Sequence, residues 1–313
     1  MIIVFGSIHM DNSLRVRKFP QAGETALSSS YSLLPGGKGA NQAFAAARLG
    51  AKTAIVGKVG DDGMGLRVLN HLKRNEVMTS GVATSEDLPT GMASVIKNAK
   101  GDSQIIVASG ANTQISAEQA PVDIFNDNNY LLVQMEVPVE ETKRVIKNAK
   151  AKGTKIVLNL APVAEISKDI LQDVDYLIVN SIEARQLAKS LGFELDKDVK
   201  KLASIFAKQG DLTCIITRGP ESVVAVQADG AGWNVPAIDL GEQVIDTTGA
   251  GDCFCGTFTA CLHEKKLFSE ALRMATVASG LSCMAEGTQE SYPYSADIEK
   301  KLESFPKVKK IAV

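Results

Sequence analysis

An α/β fold, built on a mostly parallel central sheet flanked by helices, is predicted for this 313-residue chain by three observations. Short apolar, β-branched runs alternate with longer amphipathic ones, the rhythm of strand–helix crossovers onto a sheet buried on both faces. Two stretches break that rhythm with polar β-type segments, as a small separate sheet would. No internal repeat or low-complexity linker divides the chain, so residues 1–313 read as a single domain.

Taken in order, strands are predicted over residues 2–8, 53–59, 92–97, 105–107, 130–134, 155–160, 176–180, 213–217 and 223–227. Helices are predicted over 40–49, 65–75, 139–152, 181–191, 197–209, 250–265, 269–286 and 296–305. The exceptions are residues 14–34, without a helical period, and residues 90–107, which read as strand, turn at Asn98-Ala-Lys-Gly101, strand. Together, over about 12–34 and 90–108, they predict a projecting β-sheet lid able to cover a site at the strand ends. In an open α/β sheet ligands bind beyond the carboxyl ends of the strands. Asp11, the 35–41 loop, Glu136, Asn180 and Thr217 all follow predicted strands, so they are expected along one edge.

Composition narrows the partners. With 45% hydrophobic and 22% charged residues the chain can bury a large core. A net charge of −2 gives no reason to expect nucleic acid or an anionic membrane, and the basic stretch Lys307-Val-Lys-Lys310 reads as a solvated chain end. No run reaches the roughly 18 apolar residues of a membrane helix. The start, Met1-Ile-Ile-Val-Phe-Gly-Ser-Ile8, reads as a buried strand rather than a leader. Five cysteines in apolar segments, an odd count, predict reduced thiols and a cytoplasmic location. Cys253-Phe-Cys255 has no second Cys/His pair at ligand spacing, so zinc is not expected.

The stretch richest in chemistry is Asp246-Thr-Thr-Gly-Ala-Gly-Asp252, which runs directly into an apolar helical pattern. Gly249, Ala250 and Gly251 therefore stand where a loop becomes a helix, with bare amides and the positive end of the dipole facing any anion. A carboxylate there, Asp252, would repel a phosphate that was merely bound. It makes sense as a base that takes a proton from a hydroxyl while the amides stabilise the phosphoryl group under attack. The plainer alternative is an acidic first-turn residue favoured by the dipole.

Other constellations are weaker singly. Pro35-Gly-Gly-Lys-Gly-Ala-Asn41 lacks the GxxxxGK[ST] spacing of a P-loop, and offers Lys38 and Asn41 as donors to hydroxyls, or is a glycine turn with an exposed lysine. Asp11 suits a vicinal diol or a turn. His9 suits a hydrogen-bonding role at a strand end better than catalysis, and His71 and His263 are expected on solvent faces. Asn180-Ser-Ile-Glu183 can bind phosphate and a hydrated Mg²⁺, or simply cap a helix. Thr217-Arg-Gly-Pro-Glu-Ser222 would expose backbone to a nucleotide, or is a turn; Gly60-Asp-Asp-Gly63 reads as a turn and helix cap.

In this order, Gly36-Gly-Lys-Gly-Ala-Asn41, Asn180-x-x-Glu183 and Asp246-Thr-Thr-Gly-Ala-Gly-Asp252 resemble the ribokinase-like (PfkB-type) family of carbohydrate and nucleoside kinases, and the likeness spans residues 3–293. Gly-Ser-Ile-x-Met-Asp11 and Ser109-Gly-Ala-Asn112 add to it. The resemblance implies a Rossmann-like domain, a β-sheet lid that forms a homodimer interface, and ATP-dependent phosphorylation of the primary hydroxyl of a small sugar, D-ribose first. A nucleoside, deoxyribose or fructose kinase is the second reading, and a non-catalytic sensor the third. The implied roles are Asp252 as base; Gly249, Ala250 and Gly251 as anion hole; His9, Asp11, Gly37, Lys38, Asn41 and Glu136 on the sugar. Asn180, Thr217, Gly219 and Thr276, with Ala250 and Gly251, would lie along ATP, and Glu183 near Mg²⁺. An activating K⁺ would be held by Asp246, Thr248, Ser282, Ala285, Gly287 and Ser291. His9 departs from the family, where Asn is usual, as do Thr257, Thr276 and Glu290.

Overall fold

The first strand, β1 (Ile2–Phe5), carries no polar residue because both of its faces are covered: Ile2 and Val4 enter one hydrophobic core, Ile3 and Phe5 the other. The computed structural model describes residues 1–99, 102–193, 196 and 198–311. Lys100 and Gly101 of the predicted turn, and Lys197 of a predicted helix, lie outside the described residues.

The elements that follow are β2 (His9–Arg15), β3 (Ser30–Gly36), α1 (Lys38–Arg48), β4 (Thr53–Gly60), α2 (Gly63–Arg74), β5 (Val77–Ser85), β6 (Gly91–Lys97), β7 (Ser103–Ala108), β8 (Tyr130–Val133), α3 (Val139–Lys150), β9 (Lys155–Asn159) and α4 (Lys168–Asp173). Then come β10 (Tyr176–Asn180), α5 (Ser181–Ser190), α6 (Val199–Gly210), β11 (Thr213–Thr217), β12 (Ser222–Val226), β13 (Gly232–Pro236), α7 (Ala250–His263), α8 (Phe268–Ser282), α9 (Ser295–Leu302) and β14 (Lys309–Ile311). Ten strands form the main sheet in the order β14-β13-β12-β11-β10-β9-β8-β1-β4-β5. The run from β5 to β11 is parallel, and β12, β13 and β14 continue it antiparallel. Helices α1, α2, α7, α8 and α9 supply the first core and α3 to α6 the second.

A separate four-stranded sheet has the order β3-β2-β6-β7. The predicted first strand ends early, at Phe5; after the bend at Gly6–Ile8 the chain re-enters as β2, so His9 and Asp11 stand inside the small sheet rather than just past the first strand.

Several expectations are corrected. The basic tail is no free end: Lys309–Ile311 pairs with Gly232–Asn234 as an edge strand, its lysines exposed but its backbone in the ladder. Helix α8 stops at Ser282 and not near Glu286, leaving a loop up to Ser291. Strands β5 and β13 and the short α4 went unpredicted. His71 is not on a solvent face: its ring stacks on Phe44, centroids 5.3 Å apart. His263 is only partly exposed. The five cysteines are free thiols, four of them buried. Among the described residues no helix is long and apolar enough to cross a membrane.

Helix α1 is alanine-rich because it lies against α7 at very short range. A Cβ on Gly256 of α7 would stand 2.3 Å from the carbonyl oxygen of Gln42 and 2.7 Å from the Cβ of Ala45. That crossing brings the two glycine-rich motifs together.

Candidate active site

The bend between β1 and β2 is held by side chains that leave no room for larger neighbours. Asn112 accepts from the Ile8 amide at 2.9 Å and donates to the Ile8 carbonyl at 2.8 Å. A Cβ on Gly39 would fall 2.6 Å from the Gly6 carbonyl carbon, so the start of α1 rests directly on the bend. Gly37, at φ 92°, turns the chain into α1 through a conformation that side-chain-bearing residues avoid. Glu136, just beyond β8, ties these pieces together: its Oε2 accepts from Ser7 Oγ at 2.6 Å and from the Lys38 amide at 3.1 Å. His9 Nδ1 lies 4.0 Å from the same oxygen. His9 is 2% exposed, and burial holds its imidazole below the usual range despite Glu136, so it is neutral at pH 7. Its Nε2 has no partner.

Gly249 precedes α7 at φ 76°, packed so that a Cβ would meet Thr288 Cγ2 at 2.7 Å and Tyr292 Oη at 2.8 Å. The first-turn residue Asp252 is 5% exposed. Its Oδ2 accepts from Asn41 Nδ2 at 3.1 Å and its Oδ1 from Gln42 Nε2 at 2.9 Å, with Lys38 Nζ 4.0 Å from Oδ1. Burial pushes the Asp252 carboxyl up; Lys38 and the two amide hydrogen bonds pull it back down. Asp252 in turn raises Lys38, keeping it a cation.

Asp11 adds to this crowd of carboxylates. Burial, then Glu136, Asp252 and Glu290, push it up to about 7 against the pull of Lys38. Its Oδ1 is buried without a partner, and its carboxyl lies so close to Gly36 that a Cβ there would meet Oδ2 at 2.1 Å. Glu183 is also raised, by burial first, and feels both Lys38 and Asp252. His9, Asp11, Lys38, Asn41, Glu136, Glu183 and Asp252 thus lie within one electrostatic neighbourhood.

The nucleotide-side residues are arranged differently. Asn180 and Glu183 form a capping box at α5: Asn180 Oδ1 accepts from the Ile182 and Glu183 amides, and Glu183 Oε2 from the Asn180 amide at 2.7 Å. Thr217 sits beside Asn180 in register, its hydroxyl 3.5 Å from the Val179 carbonyl, and Gly219 turns the chain at φ 55°. Thr276 is buried in α8, donating to the Leu272 carbonyl, so its hydroxyl is already used. Among the described residues no group of three or more His, Cys, Asp or Glu could hold a metal ion.

Of the six residues implied for K⁺, Asp246 has its carboxylate already occupied in this arrangement. Asp246 Oδ1 accepts from the amide and hydroxyl of Thr248, at 3.1 and 2.6 Å. Its Oδ2 accepts from Lys97 Nζ at 2.6 Å and the Gly287 amide at 3.4 Å. Those donors fill the roughly four acceptor positions of a carboxylate. Ser282 and Ser291 donate to the carbonyls of Ser279 and Thr288, and Ala285 is exposed.

The motif reading missed a chain of buried amides. Gln134 Nε2 donates to Gln42 Oε1, Gln42 Nε2 reaches both Asn159 and Asp252, and Gln289 Nε2 donates to Asn41 Oδ1 at 2.9 Å. Their signal was a polar residue closing an otherwise apolar run, as in Leu131-Leu-Val-Gln134 and Ile156-Val-Leu-Asn159.

Comparison with known proteins gives the family. The ribokinase of Haemophilus influenzae is 36% identical over 297 residues, covering 93% of this chain and 95% of its own length. The structure of the ribokinase of Thermotoga maritima superposes with a TM-score of 0.89 at 31% identity, covering 97% of this chain and 99% of that one. That of Arabidopsis thaliana ribokinase complexed with ribose and ATP gives 0.86 at 28%, with 97% and 99% covered. The profile of the pfkB family carbohydrate kinases matches residues 1–294. The chain belongs to the pfkB family of carbohydrate kinases, and by that membership is an ATP-dependent sugar kinase.

Proposed function

We propose that this kinase transfers the γ-phosphoryl group of ATP to the primary hydroxyl of D-ribose, giving ribose 5-phosphate and ADP. The observation that carries the proposal is the buried Asp252 carboxylate at the start of α7, aimed by Asn41 and Gln42 and faced by Lys38. Asp252 takes the hydroxyl proton as that oxygen attacks the phosphorus in line, and the β–γ bridging oxygen leaves with ADP. The amides of Gly249, Ala250 and Gly251 receive the charge that develops on the phosphoryl oxygens. Asp11, Gly37, Lys38, Asn41, Glu136 and His9 hold the sugar. Asn180, Thr217 and Gly219 lie along the nucleotide, and Glu183 would hold Mg²⁺, which would neutralise phosphate charge.

Support for ribose comes from the relatives named ribokinase and from the unpartnered acceptor Asp11 Oδ1 and nitrogen His9 Nε2, both suited to sugar hydroxyls. His9 is bulkier than the usual Asn, so a nucleoside, deoxyribose or fructose is the second reading. The test is ADP release over ribose, deoxyribose, fructose, adenosine and inosine. Ribose should give the highest kcat/KM; a nucleoside in first place, or no turnover of ribose, overturns the choice of sugar.

Under the same proposal the small sheet is a lid and also the face of a homodimer. Ile105, Ile106 and Val107 on its edge strand β7 are 56%, 66% and 43% exposed, and Tyr31 on β3 is 73% exposed. A monomeric mass by sedimentation at micromolar concentration would dispose of the dimer. The free thiols support a reducing, cytoplasmic setting.

A further inference from the structure

Lys97 and Arg15 are register neighbours on the parallel strands β6 and β2, and both reach from the small sheet to the loops around the anion hole. Arg15 pairs with Glu286 in the loop after α8. Lys97 pairs with Asp246, whose carboxylate shapes the turn into α7 by accepting the Thr248 amide and hydroxyl and the Gly287 amide. The two ion pairs differ. Arg15 and Glu286 are 51% and 68% exposed, so the pair contributes little. Lys97 and Asp246 are 22% and 9% exposed, and removing one partner of so shielded a pair strands the other charge. Both partners line a cavity of about 370 Å³ that also has Asp11, Thr248, Gly287 and Thr288 on its wall.

We infer that Lys97 is a built-in cation for this site: its ammonium stands in for the monovalent ion that Asp246 would otherwise recruit, and binds the small sheet to the anion-hole turn. Lys97 is a positioning residue, since it acts on the Gly249–Gly251 amides through Asp246 and Thr248. The consequence is a kinase whose turnover does not depend on which monovalent cation is present.

The activity arm of the test rests on the kinase proposal; a melting arm does not. Turnover is compared in KCl, NaCl and tetramethylammonium chloride at equal ionic strength for the wild type and Lys97→Met, and the melting temperature is recorded for both in each salt. The wild type should keep its kcat within about twofold across the salts, whereas Lys97→Met should fall about tenfold or more in tetramethylammonium, mostly in kcat, and recover in K⁺. Only the variant should gain thermal stability specific to K⁺. A wild type activated about tenfold or more by K⁺, a variant as fast as the wild type in tetramethylammonium, or a slowed variant that K⁺ does not rescue each overturns the inference. Should no sugar be turned over, the kinase proposal fails and the melting arm decides alone: a K⁺-specific rise in the wild type overturns the built-in cation, and a rise confined to Lys97→Met upholds it. If Lys97→Met does not fold, the wild type's response to the three salts decides by itself.

Discussion

Gln42 and Asp252, 210 residues apart in the chain, share a buried hydrogen bond of 2.9 Å. With Asn41 on the other oxygen, the carboxylate is fixed at both ends, and neither amide donates a proton that would neutralise it. A general base benefits twice: its direction is set, and its anionic form is favoured against the burial that would protonate it.

Asp252→Asn should leave nucleotide affinity nearly unchanged and lower kcat by about 10²–10⁴-fold, the range for a positioned general base. Steady-state kinetics with a nucleotide-binding titration checks this; a variant keeping more than about a tenth of the wild-type rate rules out Asp252 as the base.

Gln42→Leu removes a donor that favours the charged carboxylate, so the Asp252 carboxyl should rise and the acidic limb of the kcat–pH profile should move to higher pH. At the plateau kcat should fall about tenfold with KM little changed, because the base is less well aimed. An unshifted limb would mean that Gln42 only fills space.

Asp11 is raised to about 7 from 3.8. The folded protein holds its proton more tightly than the unfolded chain, so the stability this contributes is full below about pH 4 and lost as pH rises through about 7. Asp11→Asn should therefore melt higher than the wild type at pH 8 and nearly alike at pH 5, while losing most sugar turnover. Equal melting shifts at both pH values would contradict this account.

His9→Asn should keep ribose turnover within about tenfold, or about 1.4 kcal/mol of transition-state binding, because a shorter amide can still meet a hydroxyl. It should also widen the range of sugars accepted, since the side chain is smaller. The imidazole is boxed in by Gly91, where a Cβ would lie 2.5 Å from His9 Cδ2, so Gly91→Ala should displace it and cost more than His9→Asn does. The sugar panel run on all three proteins measures both effects.

Much of this site was legible because its chemistry sits at element boundaries. Glycines followed by an apolar run announced the start of α7, and placed Asp252 in its first turn. The small sheet was visible as two polar segments where helices belonged. What stayed hidden was made by tertiary contact. Gln42 lies in α1, Asn159 ends β9 and Gln134 follows β8, and an amide beside an apolar run shows no partner in one dimension. Lys97 read as the end of a strand, and nothing near it in sequence announces Asp246. Strand β5 escaped because Thr79-Ser-Gly81 interrupts its apolar pattern, and β14 because its lysines look solvated while its backbone is paired.

The close crossing of α1 and α7 at Gly256 bears on how such a protein can be altered. The Gln42 carbonyl would stand 2.3 Å from any Cβ there, so the gap between the helices is set by the absence of a single methyl group. The distance from Gln42 to Asp252 is inherited from that gap. A chimera that took α1 from one relative and α7 from another would thus misaim its base, whereas one that took both helices from the same parent would not. The two motifs are one heritable part, divided in the gene by more than half the length of the chain.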